Sequence, residues 1–190
     1  MSARIAGTRV LHKGWTTLLS ATVRLADGSE FAREIEDHGN AVALLPYDPA
    51  RRVAFLVRQL RIPPLYKGFP EELLEVPAGI MDEPDPADAA RREAMEEIGL
   101  RIDTLEKVTT AWASPGVSCE LMTLFLAPCS AADRVAEGGG LAEEHEGITV
   151  VEMPLDEVWK ALEDGRLKDM KSLVLVHALR FRRPELFVPA

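Results

Sequence analysis

The sequence is poor in cysteine, in basic charge and in long apolar runs, and each shortage excludes a class of protein. Its 190 residues include only two cysteines, Cys119 and Cys129, which excludes a disulfide framework and fits a reducing compartment. No uncharged apolar run approaches the ~18 residues of a membrane span. The N-terminus lacks the apolar core of a secretory signal. We therefore predict a cytoplasmic protein that has no membrane partner.

Basic residues are outnumbered by acidic ones. The chain carries 22 Lys and Arg against 31 Asp and Glu, which gives a formal net charge of −9. Nucleic-acid binding usually rests on a basic patch, so we expect no nucleic-acid partner. A small phosphorylated ligand stays possible, because local arginines or bound cations can reverse the field in one cleft. At about 100–200 residues per domain, the length predicts one domain, or one domain with a small appendage.

Strand and helix signals follow one another along the chain in both local and alternating order. Short strands are predicted in the first forty residues, and two apolar runs at 41–45 and 53–57 indicate a buried hairpin around the turn 46–49. Prolines and glycines predict a loop over 61–72. The remaining predicted strands are 73–76, 107–112, 121–127 and 148–153, and the two closing helices are 156–163 and 169–182. This order predicts a layered α/β or α+β fold.

One helix carries clear boundary signals. Asp85 can cap its N-terminus, Pro86 suits the first turn, and Gly99 is a natural stop after Ile98. Ala87, Ala90, Ala94 and Ile98 recur at the helical period and predict an apolar stripe.

The same helix concentrates acidic side chains near its C-terminus. Glu93 and Glu97 are four residues apart, so they lie one above the other, and Glu96 is beside them. The helix dipole disfavours negative charge there, which suggests that bound cations compensate it. Stacked carboxylates without His or Cys nearby favour Mg²⁺, with Mn²⁺ as an alternative. A solvated acidic helix face is the competing interpretation.

The residues around this helix resemble the Nudix box of the Nudix hydrolase superfamily. The matching residues are Pro77-Ala78-Gly79 and Arg92-Glu93-x-x-Glu96-Glu97-x-Gly99. The chain departs from the motif in two ways. Asp85 stands where the motif has Glu, and the stretch from Asp85 to Arg92 is one residue shorter than in the motif. Segments around His38, Gln59, Ser114 and the late acidic loop extend the resemblance to the ADP-ribose and GDP-mannose pyrophosphatase branch.

The resemblance implies a fold and an assembly. The fold would be a Nudix α/β/α sandwich with a mixed sheet, plus a small N-terminal antiparallel β subdomain. Residues 1–40 would form that subdomain and mediate homodimerisation, and residues 41–190 would form the hydrolase domain. An exposed pair of N-terminal strands that is unable to stand alone agrees with a dimer.

The resemblance also implies a metal site. Its ligands would be Glu93, Glu97 and the backbone carbonyl of Ala78, with Glu96 as an additional ligand. From the loop between Ala127 and Ile148, Glu146 would be the late metal ligand or catalytic base, and Glu144 is the alternative. Gly138–Gly140 precede these residues, and we interpret the glycines as the mobile part of a lid. Arg92 is expected to hold a helix carboxylate in place.

Substrate contacts are implied in the same way. Arg61 would grip a phosphate with its planar guanidinium, and Ala78 and Gly79 would lie against the substrate. Arg33 and Glu34 match positions that reach the nucleotide, often from the partner subunit. Glu120 and Lys171 would contact the sugar or phosphate side.

The implied activity is Mg²⁺-dependent hydrolysis of the diphosphate bond of a nucleoside diphosphate sugar, of the GDP-mannose or ADP-ribose type. The products would be a nucleoside monophosphate and a sugar phosphate. Two alternatives stay open. One is a non-catalytic module that senses nucleotide sugars, and the other is a hydrolase of another nucleoside diphosphate derivative.

Overall fold

The computed structural model describes residues 2–141 and 147–188. The strands are β1 Ala3–Lys13, β2 Thr17–Leu25, β3 Glu30–Asp37, β4 Ala41–Asp48, β5 Val53–Gln59, β6 Leu73–Glu75, β7 Ala78–Ile80, β8 Glu106–Trp112, β9 Leu121–Pro128 and β10 Thr149–Pro154. The helices are α1 Ile62–Tyr66, α2 Pro86–Ile98, α3 Leu155–Glu163 and α4 Met170–Arg182. The chain forms two compact units: residues 1–41 with 110–122, and residues 42–109 with 123–190.

The first unit is built on a three-stranded antiparallel sheet in the order β1-β2-β3. β1 pairs with β2 along its length, with irregularities between Ile5 and Gly7 and between Val10 and His12. Every residue of β1 is exposed. Residues 110–122 join this unit through backbone hydrogen bonds between Glu36 and both Val117 and Cys119.

A seven-stranded sheet in the order β10-β5-β4-β9-β8, with β6 paired to β5 and β7 paired to β4, carries the second unit. All residues of β4 are buried, as their continuous apolar pattern predicts. Val42, Leu44 and Phe55 pack with Ala94 and Ile98 of α2 in one core cluster. Since side chains alternate along a strand, the intervening residues of β4 and β5 face the opposite side, and β5 contacts α3. The sheet therefore lies between helices, and the predicted α/β fold class is confirmed.

The α2 helix has the predicted boundaries. The Asp85 side chain accepts a hydrogen bond from the backbone N–H of Ala87 at 2.9 Å. Gly99 ends the helix with φ at 67°, a left-handed conformation that favours glycine. Three of the four residues of the predicted apolar stripe are fully buried, since Ala90, Ala94 and Ile98 have no exposed surface. The fourth, Ala87, is partly buried and packs against the core cluster.

Several predicted boundaries were wrong. The predicted loop after Arg61 contains α1, because Pro63 and Pro64 occupy the start of the helix, where a missing N–H is tolerated. β4 continues through the predicted turn to Asp48, since a proline can occupy a strand position that donates no ladder hydrogen bond. The strand predicted at 73–76 ends at Glu75, and a further strand that the sequence did not predict, β7, starts at Ala78 and pairs with β4.

Within residues 2–141 and 147–188, no helix is long and apolar enough to cross a membrane.

Two glycines that follow helices test how tightly the end of α2 is packed. A Cβ at Gly99 would lie 2.1 Å from the carbonyl oxygen of Ala136, whereas one at Gly165, after α3, would meet nothing within 4 Å. Both glycines have positive φ. We expect Gly99→Ala to lower the free energy of unfolding in urea by about 2–4 kcal/mol, and Gly165→Ala by about 1 kcal/mol. Equal losses would contradict the packing described.

Candidate active site

Two carboxylates of α2 are buried against the strand β7. Glu93 is 7% exposed and Glu97 is 2% exposed. Oε2 of Glu97 accepts a hydrogen bond from the backbone N–H of Ala78 at 3.1 Å. A Cβ at Gly79 would lie 1.9 Å from Oε1 of Glu93, so only glycine allows this carboxylate its position. The predicted residues Ala78, Gly79, Glu93 and Glu97 therefore come together.

Arg92 connects the carboxylates around it. Its Nη1 is 2.8 Å from Oε1 of Glu93 and 2.9 Å from Oε2 of Glu96, and its Nε donates to Oε1 of Glu83 at 2.7 Å. The hydrogen bond to Glu83 and the charges of Glu93 and Glu96 outweigh partial burial and raise the pKa of Arg92. The prediction that Arg92 holds helix carboxylates is confirmed. Asp85, which stands where the motif has Glu, caps the N-terminus of α2. The acidic residue before the helix that pairs with Arg92 is Glu83.

The three glycines before the late acidic residues are attached to the C-terminus of α2. The backbone N–H groups of Gly139 and Gly140 donate to the carbonyl oxygens of Glu97 and Glu96, at 2.9 Å and 3.1 Å. A Cβ at Gly138 would lie 2.6 Å from the Glu97 carbonyl oxygen. Gly139 and Gly140 thus satisfy terminal carbonyls of the helix, which is a structural role that the sequence did not reveal. The lid of which these glycines would be the mobile part stays a prediction. The late residues Glu144 and Glu146 lie outside the described residues.

The buried carboxylates of α2 are suitable ligands for a hard cation. Buried carboxylate oxygens are the ligands that Mg²⁺ prefers, and Glu93 and Glu97 supply them within one turn of helix. In residues 2–141 and 147–188, no three His, Cys, Asp or Glu side chains are grouped to hold a metal ion. The implied site also needs the Ala78 carbonyl and Glu146, which is outside those ranges. The described residues therefore fit part of a Mg²⁺ ligand set.

Arg61 and Lys171 meet at a carboxylate that the sequence analysis did not single out. Nε and Nη2 of Arg61 donate to the two carboxylate oxygens of Glu75 at 2.9 Å and 3.0 Å. Lys171 lies 2.5 Å from Glu75 and 3.0 Å from Asp169. Burial alone would raise the pKa of Glu75, but Arg61 and Lys171 outweigh burial and hold that pKa below its ordinary value. Glu75 therefore stays ionised at neutral pH.

Arg33 and Glu34 line a separate cavity of about 540 Å³ within the first unit. The other lining residues come from β3 and from residues 112–119, and they include Trp112 and Cys119. The guanidinium of Arg33 lies 4.5 Å from the centre of the Phe31 ring. Both predicted residues thus face one space that is large enough for a small ligand.

Glu120 takes part in a cluster around His38. Nε2 of His38 is 3.6 Å from Oε1 of Glu120, and its Nδ1 is 2.6 Å from Oε1 of Glu36. The Trp15 ring stacks on the imidazole of His38, with the two ring centres 5.1 Å apart. Burial would lower the pKa of His38, but the hydrogen bond and charge of Glu36, together with Glu120, raise it.

Sequence reasoning missed three acidic residues that organise the site. Glu75 and Asp169 hold Lys171, and Glu83 holds Arg92. One signal was available, because Glu75 is a charged residue inside the apolar stretch Leu73–Val76, where a buried charge needs partners. Asp169 was recognised only as the start of a helix.

Comparisons with known proteins agree with this geometry. The NUDIX domain family matches residues 37–174. The chain is 34% identical over 187 residues to a GDP-mannose pyrophosphatase of Cronobacter sakazakii, covering 96% of this chain and 97% of the relative. It is 36% identical over 183 residues to one of Yersinia enterocolitica, covering 93% and 95%. A solved ADP compounds hydrolase has the same fold, with a TM-score of 0.79 and 19% identity over 99% of this chain and 98% of that chain.

The buried carboxylates of α2 are groups that can hold a divalent cation, and the family match makes the protein a hydrolase. The chain belongs to the NUDIX family, as the resemblance of residues 77–99 predicted.

Gly79→Ala tests the contact between β7 and α2. The added methyl would displace the flexible Glu93 carboxylate, so the cost in unfolding free energy should be only about 1 kcal/mol. The affinity for Mn²⁺, measured by calorimetry, should fall by about tenfold or more because the carboxylate has moved. Gly7→Ala is the control, since a Cβ there meets nothing within 4 Å. Unchanged Mn²⁺ affinity in Gly79→Ala would contradict the assignment of Glu93 as a ligand.

Proposed function

We propose that the protein hydrolyses the diphosphate bond of a nucleoside diphosphate sugar, GDP-mannose first and ADP-ribose as the related candidate. The products are a nucleoside monophosphate and a sugar phosphate. The observation that carries the proposal is the buried pair Glu93 and Glu97, packed against Ala78 and Gly79. The names of the relatives, which match nearly the whole chain, support the choice of GDP-mannose.

Each predicted metal ligand keeps its role in this proposal. Glu93, Glu97, Glu96, the Ala78 carbonyl and Glu146 would hold Mg²⁺, and the ion would supply positive charge against the diphosphate and favour ionisation of the attacking water. Glu146 would also act as the catalytic base. Arg92 keeps Glu93 and Glu96 oriented through its short contacts to both.

The predicted substrate-binding residues keep their roles in this proposal. In the second unit, Arg61 and Lys171 would bind phosphate oxygens, and Ala78 and Gly79 would lie against the substrate. In the first unit, Glu120 would contact the substrate, and Arg33 and Glu34 would bind the nucleotide in the site of a partner subunit. The cavity that Arg33 and Glu34 share supports this assignment.

A homodimer is part of the proposal, with residues 1–40 as the dimerisation subdomain, residues 41–190 as the hydrolase domain, and the cytoplasm as the location. Every residue of β1 is exposed, including Ile5 and Val10, each 54% exposed. An exposed strand with apolar side chains is a surface that another chain can cover.

The first test is hydrolysis. With Mg²⁺, we expect the purified protein to release GMP and mannose 1-phosphate from GDP-mannose, resolved by chromatography. Glu97→Gln keeps the side-chain volume but removes a metal-binding charge, so kcat should fall by about a hundredfold or more. Glu152→Gln makes the same chemical change at the ion pair with Arg51 and should leave kcat unchanged.

Two results would contradict this proposal. One is the absence of monophosphate release from both GDP-mannose and ADP-ribose. The other is full activity in Glu97→Gln, which would remove the metal-site assignment while leaving hydrolysis to be explained by other residues.

The second test concerns assembly. Light scattering after size-exclusion chromatography should give twice the mass of one chain. Deletion of residues 2–14 removes β1 and should yield a monomer that still folds, since the core cluster contains no residue of β1. A full-length monomer, or a dimer that survives the deletion, would refute a dimer interface on β1.

A further inference from the structure

Glu75 is one of the most buried charged groups among residues 2–141 and 147–188. It is 2% exposed and lies in the strand β6, between Leu74 and Val76, which are also buried. A buried carboxylate without partners would destabilise the fold by several kcal/mol. Glu75 is instead paired with two cations, Arg61 and Lys171, which come from the start of α1 and from α4.

The pairing leaves part of each cation available to a ligand. Glu75 takes the edge of the Arg61 guanidinium formed by Nε and Nη2, which leaves the Nη1 amino group on the other side. Lys171 uses donors toward Glu75 and Asp169, and an ammonium has a further donor. The carboxylate of Asp169 is itself fixed, because it accepts the N–H of Ser172 at 3.0 Å.

We infer that Glu75 is a positioning residue, which holds Arg61 and Lys171 in the orientation that binds the diphosphate. This inference rests on the proposed function, in which both cations contact phosphate. Long side chains lose rotamer freedom when a ligand fixes them, and that loss weakens binding. Glu75 fixes both before the substrate arrives, so the substrate does not have to order them.

A second effect of Glu75 has the opposite sign. Its negative charge partly cancels the attraction between the two cations and an anionic diphosphate. If Glu75 acted only as a counter-charge, its removal would strengthen binding. The two effects can be separated, because Glu75→Gln removes the charge at constant size, whereas Glu75→Asp keeps the charge and shortens the reach.

The experiment measures the affinity of GDP by calorimetry in the presence of Mg²⁺. GDP carries the diphosphate without the sugar, so binding is read independently of turnover. We expect Kd to rise about tenfold or more in both Glu75→Asp and Glu75→Gln. Glu152→Gln is the control, because it removes a carboxylate charge from the ion pair with Arg51 and should leave Kd unchanged. Thermal unfolding of each variant confirms that it is folded.

A double variant shows whether Glu75 acts through Arg61. In an Arg61→Ala background, Glu75→Asp should change Kd by less than about threefold, since one of the two side chains that it positions is gone. A general structural role for Glu75 predicts the same loss in both backgrounds.

The outcomes separate the inference from the proposed function. Unchanged Kd in Glu75→Asp, tighter binding in Glu75→Gln, or no GDP binding by the unaltered protein would each overturn the positioning role. If the unaltered protein binds GDP but hydrolyses no nucleotide sugar, the proposed function fails, and the comparison of Kd values still decides the role of Glu75.

Discussion

The second unit depends on the burial of negative charge at the end of a helix. Glu93 and Glu97 lie in the last turns of α2, where the helix dipole repels them, and both are almost fully buried. Fixed donors compensate the charge: Arg92 contacts Glu93, and the N–H of Ala78 binds Glu97. β7 also contributes to the burial of both side chains, because Gly79 leaves room for Glu93 and Ala78 lies within hydrogen-bond distance of Glu97. Burying two carboxylates at this end of a helix lowers the stability of the fold, and such a cost is expected at a functional site, for example one that binds a cation.

The sequence predicted most accurately those features whose cause is local. The start of α2 at Asp85 and its end at Gly99 follow from capping and from positive φ, which depend on a few neighbouring residues. The buried strands β4 and β5 follow from continuous apolar runs. Helical spacing and the dipole drew attention to Glu93 and Glu97, but the choice of a metal site over a solvated acidic face came from the resemblance of residues 77–99 to the Nudix box. The structure shows both side chains buried, and their role as metal ligands stays a prediction.

The features that the sequence did not reveal depend on distant partners. Glu75 and Lys171 are 96 positions apart, and no spacing rule connects a strand to a helix at that distance. β1 lacks a buried face, so the alternation that marks most strands is absent. The role of Gly138–Gly140 appears only when they are docked on α2, because a run of glycines is compatible with both mobility and tight backbone packing.

Four backbone hydrogen bonds attach residues 135–140 to the C-terminal end of α2. The backbone N–H groups of Val135 and Ala136 donate to the Gly99 carbonyl oxygen. Those of Gly139 and Gly140 donate to the carbonyl oxygens of Glu97 and Glu96. The Val135 side chain is half exposed. Backbone hydrogen bonds do not require particular side chains, so substitutions at 135 and 136 are compatible with the same geometry. Gly99 and Gly138 differ from these positions, because a Cβ would lie 2.1 Å from the Ala136 carbonyl oxygen at Gly99 and 2.6 Å from the Glu97 carbonyl oxygen at Gly138.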